Sequence, residues 1–142
     1  MINKLCNIKR SVVLKLDEGE DLLLSITKCV QDNDIKTASF TAIGGLKTFV
    51  HGIYNGKGYN THKMEASCCL ELVSAVGNVT LKEGKPFVHC HILVTDEKSS
   101  AAFGGHLMEG TIVYPMAEVF IHEYDVDIKR VYDPQIELWP IK

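Results

Sequence analysis

The sequence predicts an α+β fold: a mostly antiparallel sheet or curled barrel with one long helix near the N-terminus. Two observations carry this. A single stretch, Leu22, Leu23, Ile26, Cys29 and Val30, repeats its apolar residues at helical spacing. From Thr37 onward, β-branched and aromatic runs alternate with glycine, proline and polar turns, giving about seven or eight strands. One helix among so many strands implies an α+β arrangement.

The elements follow in order. Ile8 to Leu16 carries Val12, Leu14 and Leu16 at period two, a strand pattern. The acidic run Asp17-Glu18-Gly19-Glu20-Asp21 suits a helix start, where carboxylates favour the positive end of the dipole. The helix then runs to about Gln31. Thr37 to Ile43 and Thr48 to Tyr54 are strands separated by Gly44-Gly45, and a loop through Asn60 follows. Met64 to Val76 is a long strand ending at Gly77-Asn78. Val79 to Leu81 and Phe87 to Thr95 flank a hairpin loop marked by Glu83-Gly84 and Pro86. Asp96 to Ala101 is a polar loop, and Ala102 to His106 contains Gly104-Gly105. Ile112 to Tyr124 is a strand region interrupted or bent at Pro115. The tail, Glu137 to Lys142, is placed to dock Trp139 on the body.

At 142 residues, with no linker, repeat or low-complexity segment, the chain (1-142) reads as a single domain. Its 46% hydrophobic and 23% charged residues are those of an ordinary globular protein. A net charge of −3 argues against a DNA-coating role, because non-specific DNA affinity comes from Lys and Arg neutralising phosphates. The densest basic cluster is Lys4, Lys9 and Arg10. Five cysteines, with Cys68 and Cys69 adjacent, show no framework spacing and read as reduced thiols. Charge near Met1 precludes an apolar signal core, and no apolar run reaches the length of a membrane span. Cytoplasmic location is the resulting expectation.

The chemistry lies in the histidines. In an extended segment, His89 and His91 point to one face with Cα atoms about 6.5–7 Å apart, and Cys90 points to the other. Two imidazoles at that separation can converge on one ion. His106 follows Gly104-Gly105, which allows close backbone approach. It is the natural third ligand. Three neutral imidazoles suit zinc, or another divalent transition metal, with an open position ordinarily filled by water. His51, His62 and His122 read as structural or surface residues, and at most as supporting ones. A cupin also uses His-x-His, but it expects a downstream acidic ligand and a later Pro-x-Gly-x-x-His that this chain lacks. The glycine-rich stretches lack the lysine and spacing of a phosphate loop.

Taken in sequence, Gly19-Glu20-Asp21-Leu22, Ala42-Ile43-Gly44, Glu71-Leu72-Val73-Ser74 with Gly77-Asn78, Gly84-Lys85-Pro86 before His89-Cys90-His91, and Gly104-Gly105-His106-Leu107 with Gly110 resemble the plants and prokaryotes conserved (PPC) domain. The match covers roughly residues 8 to 133. The resemblance implies an α+β fold assembled as a homotrimer, with a zinc site on the positions of His89, His91 and His106. It also implies a binding or regulatory role, because plant members join this domain to AT-hooks in nuclear DNA-binding proteins. No Arg-Gly-Arg-Pro core surrounds Arg10 or Arg130, so DNA enters by family analogy alone. The alternative is a zinc-dependent hydrolase or lyase acting on a small metabolite bound at the metal. For that reading Glu71 is the speculative base, although a lone strand carboxylate is more often structural.

Overall fold

The computed structural model describes the whole chain, Met1–Lys142. Seven strands and one helix succeed one another as β1 (Ile8–Asp17), α1 (Leu22–Asp32), β2 (Ala38–Tyr54), β3 (Tyr59–Lys82), β4 (Lys85–Asp96), β5 (Ala102–Leu107), β6 (Ile112–Tyr124) and β7 (Lys129–Arg130). They form one sheet in the order β1-β6-β2-β5-β4-β3-β7, with β2 also paired to β3. Every pairing is antiparallel except the short β3–β7 contact. The sheet bends back on itself but does not close as a barrel, since β1 and β7 remain edges. Of the two architectures the sequence predicts, the open antiparallel sheet is the one observed.

The helix is a correction too. It spans eleven residues and is short, not long. Its start is fixed by Asp21, whose Oδ1 accepts from the Leu24 amide at 3.0 Å; the acids before Asp21 belong to the end of β1 and the turn. Its end is fixed by Asn33, whose amide reaches back to the Cys29 carbonyl, and by Asp34 at φ 50°. Leu22, Ile26 and Val30 are fully buried, each contributing roughly 1.5–3 kcal/mol by area removed from water. They join Leu16, Phe40, Phe49, Leu72, Val119 and Ile121 in one continuous apolar core.

The other carboxylate oxygen of Asp21, Oδ2, accepts from the Gly110 amide at 2.6 Å and ties the helix start to the turn before β6. Asp21→Ala is therefore expected to lower stability by about 1–2 kcal/mol, the upper half of the usual range for a lost cap. Urea unfolding measures this, and a loss under about 0.5 kcal/mol contradicts the assignment.

Two expected strand breaks are absent. Gly44-Gly45 lies inside β2, where the register with both β3 and β6 shifts without interruption. Gly77-Asn78 lies inside β3, and a Cβ on Gly77 would collide with the Phe40 ring. That glycine serves close packing, which the sequence pattern cannot distinguish from a turn. Opposite Gly44 to Leu46, the β6 partner jumps from Ala117 to Val113, so the bend expected at Pro115 is present. Trp139 does dock: its ring lies tilted against Tyr132 and under the Lys82 ammonium. No helix is long and apolar enough to cross a membrane.

Candidate metal centre

Strand β4 places His89 and His91 on one face and Cys90 on the other. Cys90 is buried in the core, and burial pushes its thiol up to about 12, so it is an inert packing residue. Strand β5 brings the third histidine. His106 pairs with His91 across the β4–β5 ladder and with Gly52 across the two-residue contact between β5 and β2. The preceding glycine makes that approach possible: a Cβ on Gly105 would sit 2.7 Å from the Gly52 carbonyl oxygen. The close backbone approach expected of the glycine pair is observed.

His89, His91 and His106 meet. One ring nitrogen from each lies within 4.8 Å of the other two. His89 Nε2 and His106 Nδ1 are 3.2 Å apart, and the His91 and His106 ring centroids are 4.3 Å apart. Two nitrogens bound tetrahedrally to one ion at about 2.0–2.1 Å stand about 3.3–3.4 Å apart, so the cluster has the dimensions of a three-imidazole site. Tyr59 meets the His106 ring edge-on at 4.5 Å.

The electrostatics favour the neutral form of two of these rings, His89 and His106. Burial, helped by the positive charge of Arg130 and the neighbouring histidines, lowers His89 to about 4. Burial and then His91 also lower His106. A neutral imidazole is the form a metal requires. The sign for stability follows. Between about pH 6.5 and 4 the unfolded chain binds a proton at His89 that the folded chain refuses. Stability is thus fully present above the unfolded value and falls with pH across that window, and His106 adds in the same direction. Urea midpoints of chelator-treated protein at about pH 7.5 and 5 test this; equal midpoints contradict it.

The other histidines stay apart. His51 is buried between Phe49 and His62, with Nδ1 lacking a hydrogen-bond partner, and His122 Nδ1 lies 2.8 Å from Ser11 Oγ. None of them lines the site. Glu71 is exposed on β3 opposite Thr95 and is likewise absent from it.

The histidines form one wall of a cavity of about 450 Å³. Its remaining walls include Tyr59, Lys82, Phe87, Arg130 and Trp139. Sequence reasoning misses most of these, because they come from the ends of β3 and β4, from β7 and from the tail, and belong to no motif. Only the expected docking of Trp139 hints at them.

A family model, the Plants and Prokaryotes Conserved (PCC) domain, matches residues 4–125. The chain belongs to this family. Among solved structures, this PPC-type chain is similar to a plant- and prokaryote-conserved protein of Pyrococcus horikoshii, at 33% identity and a TM-score of 0.87, covering 99% of this chain and 97% of that one. It is similar to a metal-containing protein of Archaeoglobus fulgidus at 29% identity and 0.88, covering 99% and 98%. A candidate DNA-binding protein of Ralstonia eutropha matches at 26% and 0.81, covering 92% and 89%. No curated protein matches the chain.

Proposed function

We propose that this PPC-domain protein binds one divalent transition-metal ion, zinc, through His89, His91 and His106, and acts as a homotrimer in a binding or regulatory role. The observation that carries the reading is the convergence of three ring nitrogens within 4.8 Å. An all-imidazole donor set suits zinc, copper, iron or nickel better than calcium or magnesium, which take oxygen. The metal-containing relative supports the same reading. Such an ion, when bound, supplies Lewis acidity at its open position. Metal analysis of purified protein tests the proposal, with one equivalent per chain expected. Protein that takes up no metal after dialysis against zinc contradicts it.

Self-association is supported by an apolar row across the sheet. Val13, Phe120 and Val76 are 67%, 44% and 59% exposed. They lie in one register line across β1, β6, β2 and β3, with exposed Thr41 between Phe120 and Val76, and the line continues to His91 on β4. Large exposed apolar side chains grouped on one sheet face are what a subunit interface covers. Sedimentation is expected to give a trimer of the 15.8-kDa chain, and a monomer at micromolar concentration contradicts it.

Direct DNA contact is the weaker reading. Lys9 Nζ lies 3.2 Å from Glu123, which also pairs with Arg10, so two of the three cations of the N-terminal cluster are engaged within the fold by one carboxylate. A phosphate binder weakens steeply as salt rises. A gel shift is expected to show no such steep dependence. A transcription-related role, on this reading, runs through partners. The cavity against the histidines favours a second reading, a zinc-dependent hydrolase or lyase acting on a small metabolite, whose sign is turnover that disappears on chelation.

A further inference from the structure

Two cations in the cavity wall have no carboxylate partner. Arg130 is half-buried where β7 joins β3, and its hydrogen bonds go to neutral acceptors. It donates to Thr80 Oγ1 at 2.7 Å, to Asn78 Oδ1 at 2.9 Å and to the Trp139 carbonyl at 2.8 Å. A guanidinium has five N–H donors, so two are left over. Lys82 Nζ sits over the Phe87 ring at 5.1 Å and the Trp139 ring at 4.6 Å. The ion pairs of the protein involve neither residue. Glu137, the acidic residue in the wall, is exposed and pairs with neither.

A charge drawn partly out of water without a counter-ion is costly, and here two line one cavity with three imidazoles. A ligand anion would remove that cost. The cavity, about 450 Å³, has the size of a small-molecule site. Its aromatic faces, Tyr59, Phe87 and Trp139, suit a carbon skeleton. Two N–H groups on a planar guanidinium match the two oxygens of a carboxylate.

We propose that the cavity takes a small organic carboxylate, held at one end by Arg130 and Lys82 and directed at the other toward the histidine cluster. The second half of this statement rests on the metal reading, and the first half does not.

Trp139 is the single tryptophan of the chain and lines the cavity, so its emission reports occupancy. Succinate is titrated into zinc-loaded and into chelator-treated protein, with succinamide as the uncharged analogue and inorganic phosphate as the competing anion. A saturable change with succinate is expected, none with succinamide, and phosphate at least about tenfold weaker. Lys82→Ala leaves the hydrogen bonds of Arg130 in place and is expected to weaken succinate about tenfold or more, with and without zinc. Arg130→Lys, checked for folding by circular dichroism, is expected to do the same. Absence of a saturable response, an equal response to succinamide, phosphate as tight as succinate, or unchanged affinity in Lys82→Ala each overturns the proposal. Protein that binds no zinc yet binds succinate in a Lys82-dependent way refutes the metal reading and leaves the carboxylate site standing.

Discussion

Replacing His89 with alanine is expected to lower metal affinity by on the order of 100-fold or more. Substituting a residue that merely orients a ligand costs about 10–100-fold, so deleting the ligand itself sits at or beyond the upper end. His89 is the sharpest choice of the three. It is the ring that burial and Arg130 hold most firmly neutral, and its Nε2 lies 3.2 Å from His106 Nδ1. Its removal leaves two imidazoles, which cannot hold a four-coordinate ion against competing chelators. Folding should survive, because His89 lies at the cavity wall and not in the core. A competition titration against a chromophoric chelator reads the affinity. Stoichiometric metal retained at native affinity in the variant excludes His89 as a ligand.

Gly105→Ala is the second large effect, and it links packing to the site. The new methyl would lie 2.7 Å from the Gly52 carbonyl oxygen and 3.0 Å from His51 Cδ2. The first of these is backbone and cannot rotate away. Relief requires β5 to move off β2, and only two residue pairs hold them together, His51 with Leu107 and Gly52 with His106. Overpacking of this kind costs about 1–3 kcal/mol. His106 moves with the strand, so metal affinity falls as well, by about tenfold or more. Gly58→Ala is the control, because nothing lies within 4 Å of the added carbon there. Urea unfolding and zinc titration of both variants check the expectation. A Gly105→Ala protein indistinguishable from Gly58→Ala shows that the close approach of β5 to β2 is dispensable.

The site is more legible in the sequence than the sheet around it. Period-two alternation alone puts His89 and His91 on one face and Cys90 on the other, and that is the arrangement observed, with the Cys90 face turned to the core. The glycine pair before His106 signals close approach, and Gly105 provides it. Glycine misleads where it serves packing inside a long strand, as at Gly77 under Phe40, because a turn and a close contact need the same missing side chain. The pattern ends the helix at about Gln31, one residue from the observed Asp32, and only its description as long fails, since eleven residues make about three turns. Arg130, Lys82 and Tyr59 are invisible as cavity residues in the sequence. Their meeting depends on sheet register and on the docked tail, neither of which a linear pattern encodes.

Zinc-edge X-ray absorption on the purified protein, paired with anomalous diffraction from its crystals, tests the central claim most directly. Three imidazole nitrogens at about 2.0–2.1 Å are expected, with the anomalous peak lying between His89, His91 and His106. A metal coordinated by sulfur, or a peak away from these three rings, would contradict the account.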